Sequence, residues 1–166
     1  RWFISSEGFL VIGGRDATTN EILIKKHTEK DDIVLHTDMA GSPFFVVKAA
    51  GKKPGKKSIE EAATATATYS RAWRLGLKTL DVFYVKPEQV TKKANPGEYL
   101  GKGAFMITGK TNYLRPSIVL AVGCKDDRVI AGPVNAVKKQ TNNFFIVMQG
   151  NEKTSSVAKK IKKKSK

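Results

Sequence analysis

Ser58 and Glu61, three residues apart, open the longest helical signal in the chain. A serine hydroxyl can take the amide three residues on while the glutamate reaches back, so this S-x-x-E pattern predicts a helix start. Alanine-rich turns carry that helix to about Leu75, and Gly76 stops it. The rest of the chain is mostly short apolar runs separated by glycine, proline or polar turns. Trp2–Ile4 and Phe9–Ile12 flank Ser5-Ser6-Glu7-Gly8 as a hairpin, and Gly13-Gly14 break the second strand. Asp16 can cap a helix from Ala17 to about His27. Ile33–His36, Phe44–Lys48, Leu80–Val85, Ala104–Thr108, Ile118–Val122, Arg128–Ile130 and Phe144–Met148 read as further strands. They gather on both sides of the long helix without β-α-β alternation, which favours α+β over a doubly wound parallel sheet. The expected architecture is a mixed or antiparallel sheet packed with two main helices, plus a basic C-terminal helix in which Val157 and Ile161 share a face. Ala62, Ala65, Tyr69 and Trp73 recur at helical spacing and are predicted core. One member each of Phe44-Phe45 and Phe144-Phe145 should face the core, leaving the other as a candidate aromatic platform.

The 166 residues suit one domain over 1–150 with a lysine-rich tail over 151–166. Thirty Lys+Arg against fifteen Asp+Glu give a net charge of +15, of which the six lysines of 159–166 supply six, leaving +9 on the body. Such an excess predicts polyanionic company. Interior lysines sit where Gly or Pro marks a loop, above all in Gly51-Lys52-Lys53-Pro54-Gly55-Lys56-Lys57. Lysines on such loops suit phosphate contacts, which need reach and charge more than fixed geometry. One cysteine, Cys124, cannot make an internal disulfide, and with only His27 and His36 beside it a structural zinc site is disfavoured. No metal or other cofactor is expected. No apolar run reaches a membrane-spanning length and no signal peptide is visible, so the expectation is a soluble, cytoplasmic protein without a membrane partner. The chain opens at Arg1 and runs straight into apolar Trp2-Phe3-Ile4, as a piece of something longer would.

Three motifs carry candidate chemistry. Gly13-Gly14-Arg15-Asp16 ends a strand and opens a helix, a context in which backbone amides and the Arg15 guanidinium can share a phosphate. It lacks the spacings of a dinucleotide site or a P-loop, which disfavours nucleotide hydrolysis. Asn20 and Glu21, one turn on, can reach bases or finish the cap. His36-Thr37-Asp38, followed by Gly41-Ser42-Pro43, closes an apolar strand. A hydrolase reading makes His36 a base oriented by Asp38, with Ser42 or Cys124 as nucleophile. A structural histidine at a turn, or a histidine that stacks on or hydrogen-bonds to RNA, are the other readings. Asn95 to Gly103 is a turn-rich loop with Lys102 among its glycines.

In order along the chain, Gly14-Arg15-Asp16-Ala17-x-x-Asn20-Glu21 and Asp32-Ile33-Val34-Leu35-His36-Thr37-Asp38-x-x-Gly41-Ser42-Pro43 resemble the opening motifs of the NFACT-R domain. Gly97-Glu98-Tyr99-Leu100 and Ala104-Phe105-Met106-Ile107-x-Gly109-Lys110-x-Asn112-Tyr113-Leu114-x-Pro116 resemble its archaeal and eukaryotic branch. The likeness runs from about Trp2 to about Gly123. It implies an RNA-binding module, without catalysis of its own, from ribosome-quality-control factors that bind a stalled large ribosomal subunit with tRNA and direct C-terminal tailing of the nascent chain. The partners it implies are tRNA, the large ribosomal subunit and the other domains of the parent protein. Carried over residue by residue, the implied patch is Arg15, Asp16, Asn20, Glu21, His36, Asp38, Gly41 and Ser42. Thr19 stands where many relatives have glutamine. Lys48, Lys52, Lys53, Arg15 and Lys110 are the expected phosphate contacts, with Asn20, His36 and Asp38 making more specific ones. A module that touches ribosomal proteins, and is basic only to suit its neighbourhood, is a further alternative.

Overall fold

The computed structural model describes residues 1–165. Strands β1 (Trp2–Ile4) and β2 (Leu10–Gly13) form the expected hairpin, and helix α1 (Ala17–Lys26) follows. Then come β3 (Ile33–His36), β4 (Phe45–Val47), helix α2 (Lys56–Thr68) and β5 (Val82–Val85). Short β6 (Val90–Thr91) and β7 (Met106–Ile107) pair as a ribbon, and β8 (Asn112–Leu114) returns to the main sheet. A second sheet holds β9 (Leu120–Lys125), β10 (Arg128–Gly132) and β11 (Phe144–Val147), with α3 (Val134–Gln140) between the last two. The basic tail forms α4 (Thr154–Lys164).

The main sheet runs β1-β2-β4-β3-β5-β8, with every pairing antiparallel. The fold is α+β, as the distribution of strands and helices predicts. Both faces of the sheet are covered. Val11, Leu35, Phe45, Val47 and Val82 face α2 with Ala62, Ala63, Ala65 and Ala67. Val34, Phe44, Val46, Phe83 and Val85 face Leu23 of α1, with Phe105 and Ile107 packed alongside. Strands buried on both faces read as unbroken apolar runs rather than alternating ones. That is why Phe44 and Phe45 are both buried, on opposite faces, and neither is the exposed platform expected of the pair.

The long helix starts about a turn earlier than its S-x-x-E pattern indicates and ends about two turns earlier than Leu75. Gly55 is its N-cap. Ser58 donates from its amide (2.8 Å) and its hydroxyl (2.6 Å) to Glu7 in the β1–β2 turn. Glu61 accepts from the amide and hydroxyl of Ser6 at 2.8 and 2.6 Å. The pair that reads as a local cap therefore ties the helix to the hairpin, and the Ser58 hydrogen bonds hold the Glu7 carboxyl below its ordinary pKa. At the far end Ser70 donates to the Ala67 carbonyl (2.6 Å) and accepts from the Ala72 amide (3.1 Å), turning the chain away after Thr68. Tyr69 and Trp73 thus leave the helix but still pack against its core, Tyr69 with its ring 6.0 Å from that of Phe45.

Candidate functional site

The antiparallel sheet has two ends, and the polar motifs divide between them. Gly13 closes β2, His36 closes β3 and Phe44 leads into β4, so all three stand at the end where α1 begins. There the chain forms a cleft of about 430 Å³, lined by Arg15, Asp16, Asn20, His36, Asp38, Gly41 and Ser42. Arg1, Tyr69 and Lys102 complete its walls.

At the mouth of α1, Asp16 accepts from the Thr19 amide at 2.8 Å, and Thr19 Oγ1 accepts from the amides of Arg15 (2.7 Å) and Asp16 (3.0 Å). Thr19 thereby completes a capping box with Asp16. Those hydrogen bonds hold the Asp16 carboxyl below its ordinary pKa. Arg15 points into the open, with no acidic partner among the described residues. Asn20 is buried, and its Oδ1 accepts from the Phe44 amide at 3.1 Å, fastening α1 to β4. No side chain fits at Gly14, because a Cβ there would lie 1.9 Å from that oxygen.

Glu21 works on the neighbouring loop. It accepts from the Gly103 amide at 2.7 Å and pairs with Lys25 (2.6 Å) and Lys92 (2.7 Å). Lys92 also donates to the carbonyls of Gly101 (3.0 Å) and Ala104 (2.6 Å). The turn-rich loop is thereby pinned with Gly103 against Ala17, and its exposed Lys102 is set on the cleft wall. Hydrogen bonds from Lys25, Lys92 and Gly103 pull the Glu21 carboxyl down to about 2, from an ordinary 4.5. A carboxylate with a depressed folded-state pKa contributes stability above its unfolded value, and that contribution is lost as pH falls through the folded value. The loop is therefore expected to detach from α1 between about pH 4.5 and pH 2. Glu21→Gln should loosen it at neutral pH, read as faster hydrogen exchange of the Gly103 amide. Exchange unchanged from wild type would show that Glu21 does not hold the loop.

His36 is clamped. Its ring stacks on Phe44 at 3.8 Å between centroids and meets Phe83 edge-on at 6.1 Å. Nδ1 lies 3.0 Å from the Pro43 carbonyl. Burial lowers the His36 pKa, against the opposing pull of that carbonyl and of Asp38. Asp38 accepts from the Tyr113 hydroxyl at 3.0 Å, which raises the tyrosine pKa. Ser42 is buried and donates to the Met39 carbonyl at 2.7 Å. No hydrogen bond joins His36, Asp38 and Ser42, so the relay that a hydrolase would need is not assembled here. Cys124, the other candidate nucleophile, lies on β9 in the second sheet. Gly41 turns at φ +78°, and Arg71 lies over it, 3.2 Å from where a Cβ would be.

The remaining predicted cations lie at the opposite end of the sheet. From Phe44 to Lys48 the chain advances about 13 Å along β4. Lys48 is held inside the fold: it donates to the His27 carbonyl at 2.9 Å and pairs with Asp32, whose side chain is 1% exposed. Lys52 and Lys53, on the loop that follows, are exposed. Lys110 precedes β8 by one residue and is exposed at that same end, because Asn112 pairs with Tyr84 near the close of β5. Lys26, Lys30 and Lys86 emerge there too, at the end of α1, before β3 and after β5. The patch read from sequence is thus two surfaces rather than one. Sequence reasoning placed neither Lys102 nor Tyr113 in it; the only signal for Lys102 was a lysine between two glycines.

A family model described as the NFACT protein RNA binding domain matches residues 1–109. The archaeal Rqc2 homolog aRqcH of Methanocaldococcus jannaschii is 41% identical over 98% of this chain. The ribosome quality control complex subunit NEMF of Homo sapiens is 42% identical over 72% of it. This chain spans 25% of the first protein's length and 11% of the second's. Among solved structures, the C-terminal part of the fibronectin/fibrinogen-binding protein from Streptococcus suis covers 76% of this chain, which in turn spans 46% of that one, with a TM-score of 0.59 and 16% identity. That last likeness concerns the fold alone.

Proposed function

Because this chain belongs to the NFACT RNA-binding domain family of the Rqc2/NEMF ribosome quality control proteins, we propose that its two cationic surfaces grip separate stretches of one structured RNA. The observation that carries this reading is the cleft at the head of α1, which Arg15 and Lys102 line together with the polar side chains of Asn20, His36, Thr37 and Ser42. Both cations are exposed and line the same cleft, an arrangement that suits a phosphate together with its nucleoside. Lys52, Lys53 and Lys110 at the other end offer charge without a pocket and hold the sugar–phosphate backbone without reading it. In the parent protein the RNA is tRNA or large-subunit ribosomal RNA, and the domain helps to position it during tailing of a stalled chain. The broken geometry among His36, Asp38 and Ser42 favours binding over hydrolysis.

Counterion release separates the two surfaces. Each lysine that neutralises a phosphate steepens the fall of log affinity with log salt by about 0.7–0.9. Lys52→Ala/Lys53→Ala/Lys110→Ala is therefore expected to flatten the salt slope for tRNA by about 2 to 3 while leaving the preference for tRNA over duplex DNA in place. Fluorescence anisotropy across a salt series measures both. An unchanged slope would remove those lysines from the interface. Binding to ribosomal subunits that survives both this triple change and Arg15→Ala would favour contact with ribosomal proteins instead.

A further inference from the structure

A carbonyl oxygen can only accept a hydrogen bond, so the 3.0 Å contact between His36 Nδ1 and the Pro43 carbonyl places the proton on Nδ1. In the neutral ring Nε2 is then an acceptor. The hydroxyls close by are engaged elsewhere, Ser42 with the Met39 carbonyl and Tyr113 with Asp38. Nε2 has no partner within the protein, and among the described residues no buried side-chain nitrogen or oxygen lacks one. Nε2 therefore reaches open space, and the open space that His36 lines is the cleft. Phe44, stacked with planes 4° apart, and Phe83 hold the plane of the ring, and the Nδ1 contact to the Pro43 carbonyl fixes which way round it sits.

A phosphate offers only lone pairs, so an unprotonated Nε2 repels it. His36 consequently has a different task from Arg15 and Lys102, which share the cleft. The geometry points to His36 Nε2 as a fixed acceptor that recognises a hydrogen-bond donor on the nucleotide whose phosphate those cations hold, either the ribose 2′-hydroxyl or a base amino or imino group. This rests on the RNA-binding reading above. It makes the cleft selective as well as sticky, because a bound nucleotide lacking the donor leaves Nε2 desolvated and unpaired.

Three substitutions separate this role from a structural one. His36→Gln carries an amide oxygen to about the position of Nε2 and keeps an acceptor there. His36→Asn replaces only the near side of the ring and keeps a donor for Pro43. His36→Phe keeps the stack on Phe44 and loses both nitrogens. The probes are a single-stranded RNA dodecamer of mixed sequence and its all-2′-deoxy counterpart, with each variant's thermal unfolding recorded alongside. Losing one neutral hydrogen bond is expected to weaken RNA binding about two- to tenfold in His36→Asn and His36→Phe, with His36→Gln close to wild type. If only the RNA affinity falls, the donor is the 2′-hydroxyl; if both probes weaken equally, it is a base group. Nitrogen-15 NMR of the unliganded chain should show a protonated Nδ1 and a bare Nε2 at neutral pH, a result that needs no variant to fold. A protonated Nε2, or normal binding in all three variants, would overturn the assignment and leave the RNA reading standing. A wild-type chain that binds neither dodecamer would overturn the His36 assignment alone, and one that also fails to bind tRNA would overturn both.

Discussion

Asp32→Ala is expected to lower the stability of the domain by about 3 kcal/mol, at the lower end of the range for breaking a buried ion pair. Asp32 accepts from the amides of Glu29 and Ala49, each at 2.8 Å, and pairs with Lys48, whose side chain is 17% exposed. Removing the carboxylate leaves two amides without their acceptor at the end of β4, and leaves Lys48 with the His27 carbonyl and the exposed Glu29 carboxylate at 3.5 Å. Domains of this kind have only about 5–15 kcal/mol in total. Urea unfolding monitored by circular dichroism should show a lower midpoint with an unchanged slope. Lys48→Met is the instructive companion, because it removes a charge while Asp32 keeps its two amides. It should cost less stability than Asp32→Ala and leave RNA affinity near wild type. A loss of affinity in Lys48→Met comparable to that of Lys52→Ala would return Lys48 to the phosphate-binding set that its position in the sequence suggests.

The largest effect on binding is expected from reversing the two cleft cations together. Arg15→Glu/Lys102→Glu removes two charge-assisted hydrogen bonds to phosphate and adds two repulsive charges beside Asp16 and Asp38. A fall in tRNA affinity of at least about a hundredfold is expected from about 1.5–3 kcal/mol for each lost contact. Neither side chain is buried, so thermal unfolding should stay within a degree or two of wild type. Affinity that falls no further than in the far-end triple variant would mean that the cleft is not where RNA is held.

Much of this molecule was legible in its sequence because the signals are local. The β1–β2 hairpin, the Asp16 cap, the apolar run Ile33–Leu35 and the loop glycines all report on neighbours a few residues away. Errors arose where a residue's partner is distant along the chain. Ser58 and Glu61 have the spacing of a capping box, yet they bind Glu7 and Ser6. Lys48 looks like a free cation at a strand end, and only the folded β3–β4 pairing brings Asp32 to it. One member of Phe44-Phe45 reads as a candidate exposed platform because covering of the sheet by α1 and the β6–β7 ribbon on the second face is a tertiary fact. The candidate site divided for the same reason. Motif order along the chain says which residues matter to a family, but antiparallel pairing decides which end of the sheet each one occupies. Asn20 and Glu21, carried over as contacts, have their carboxyl or amide oxygens on Phe44, Gly103, Lys25 and Lys92. Through those contacts they place α1 and the loop that carries Lys102.

The most direct test is equilibrium binding of the 166-residue chain to purified tRNA, to duplex DNA and to an unstructured RNA, each titrated across salt. A preference for tRNA that persists near physiological salt and collapses in Arg15→Glu/Lys102→Glu is the expected result. Equal binding to all three that vanishes together as salt rises would contradict it, and would reduce both surfaces to unspecific positive charge.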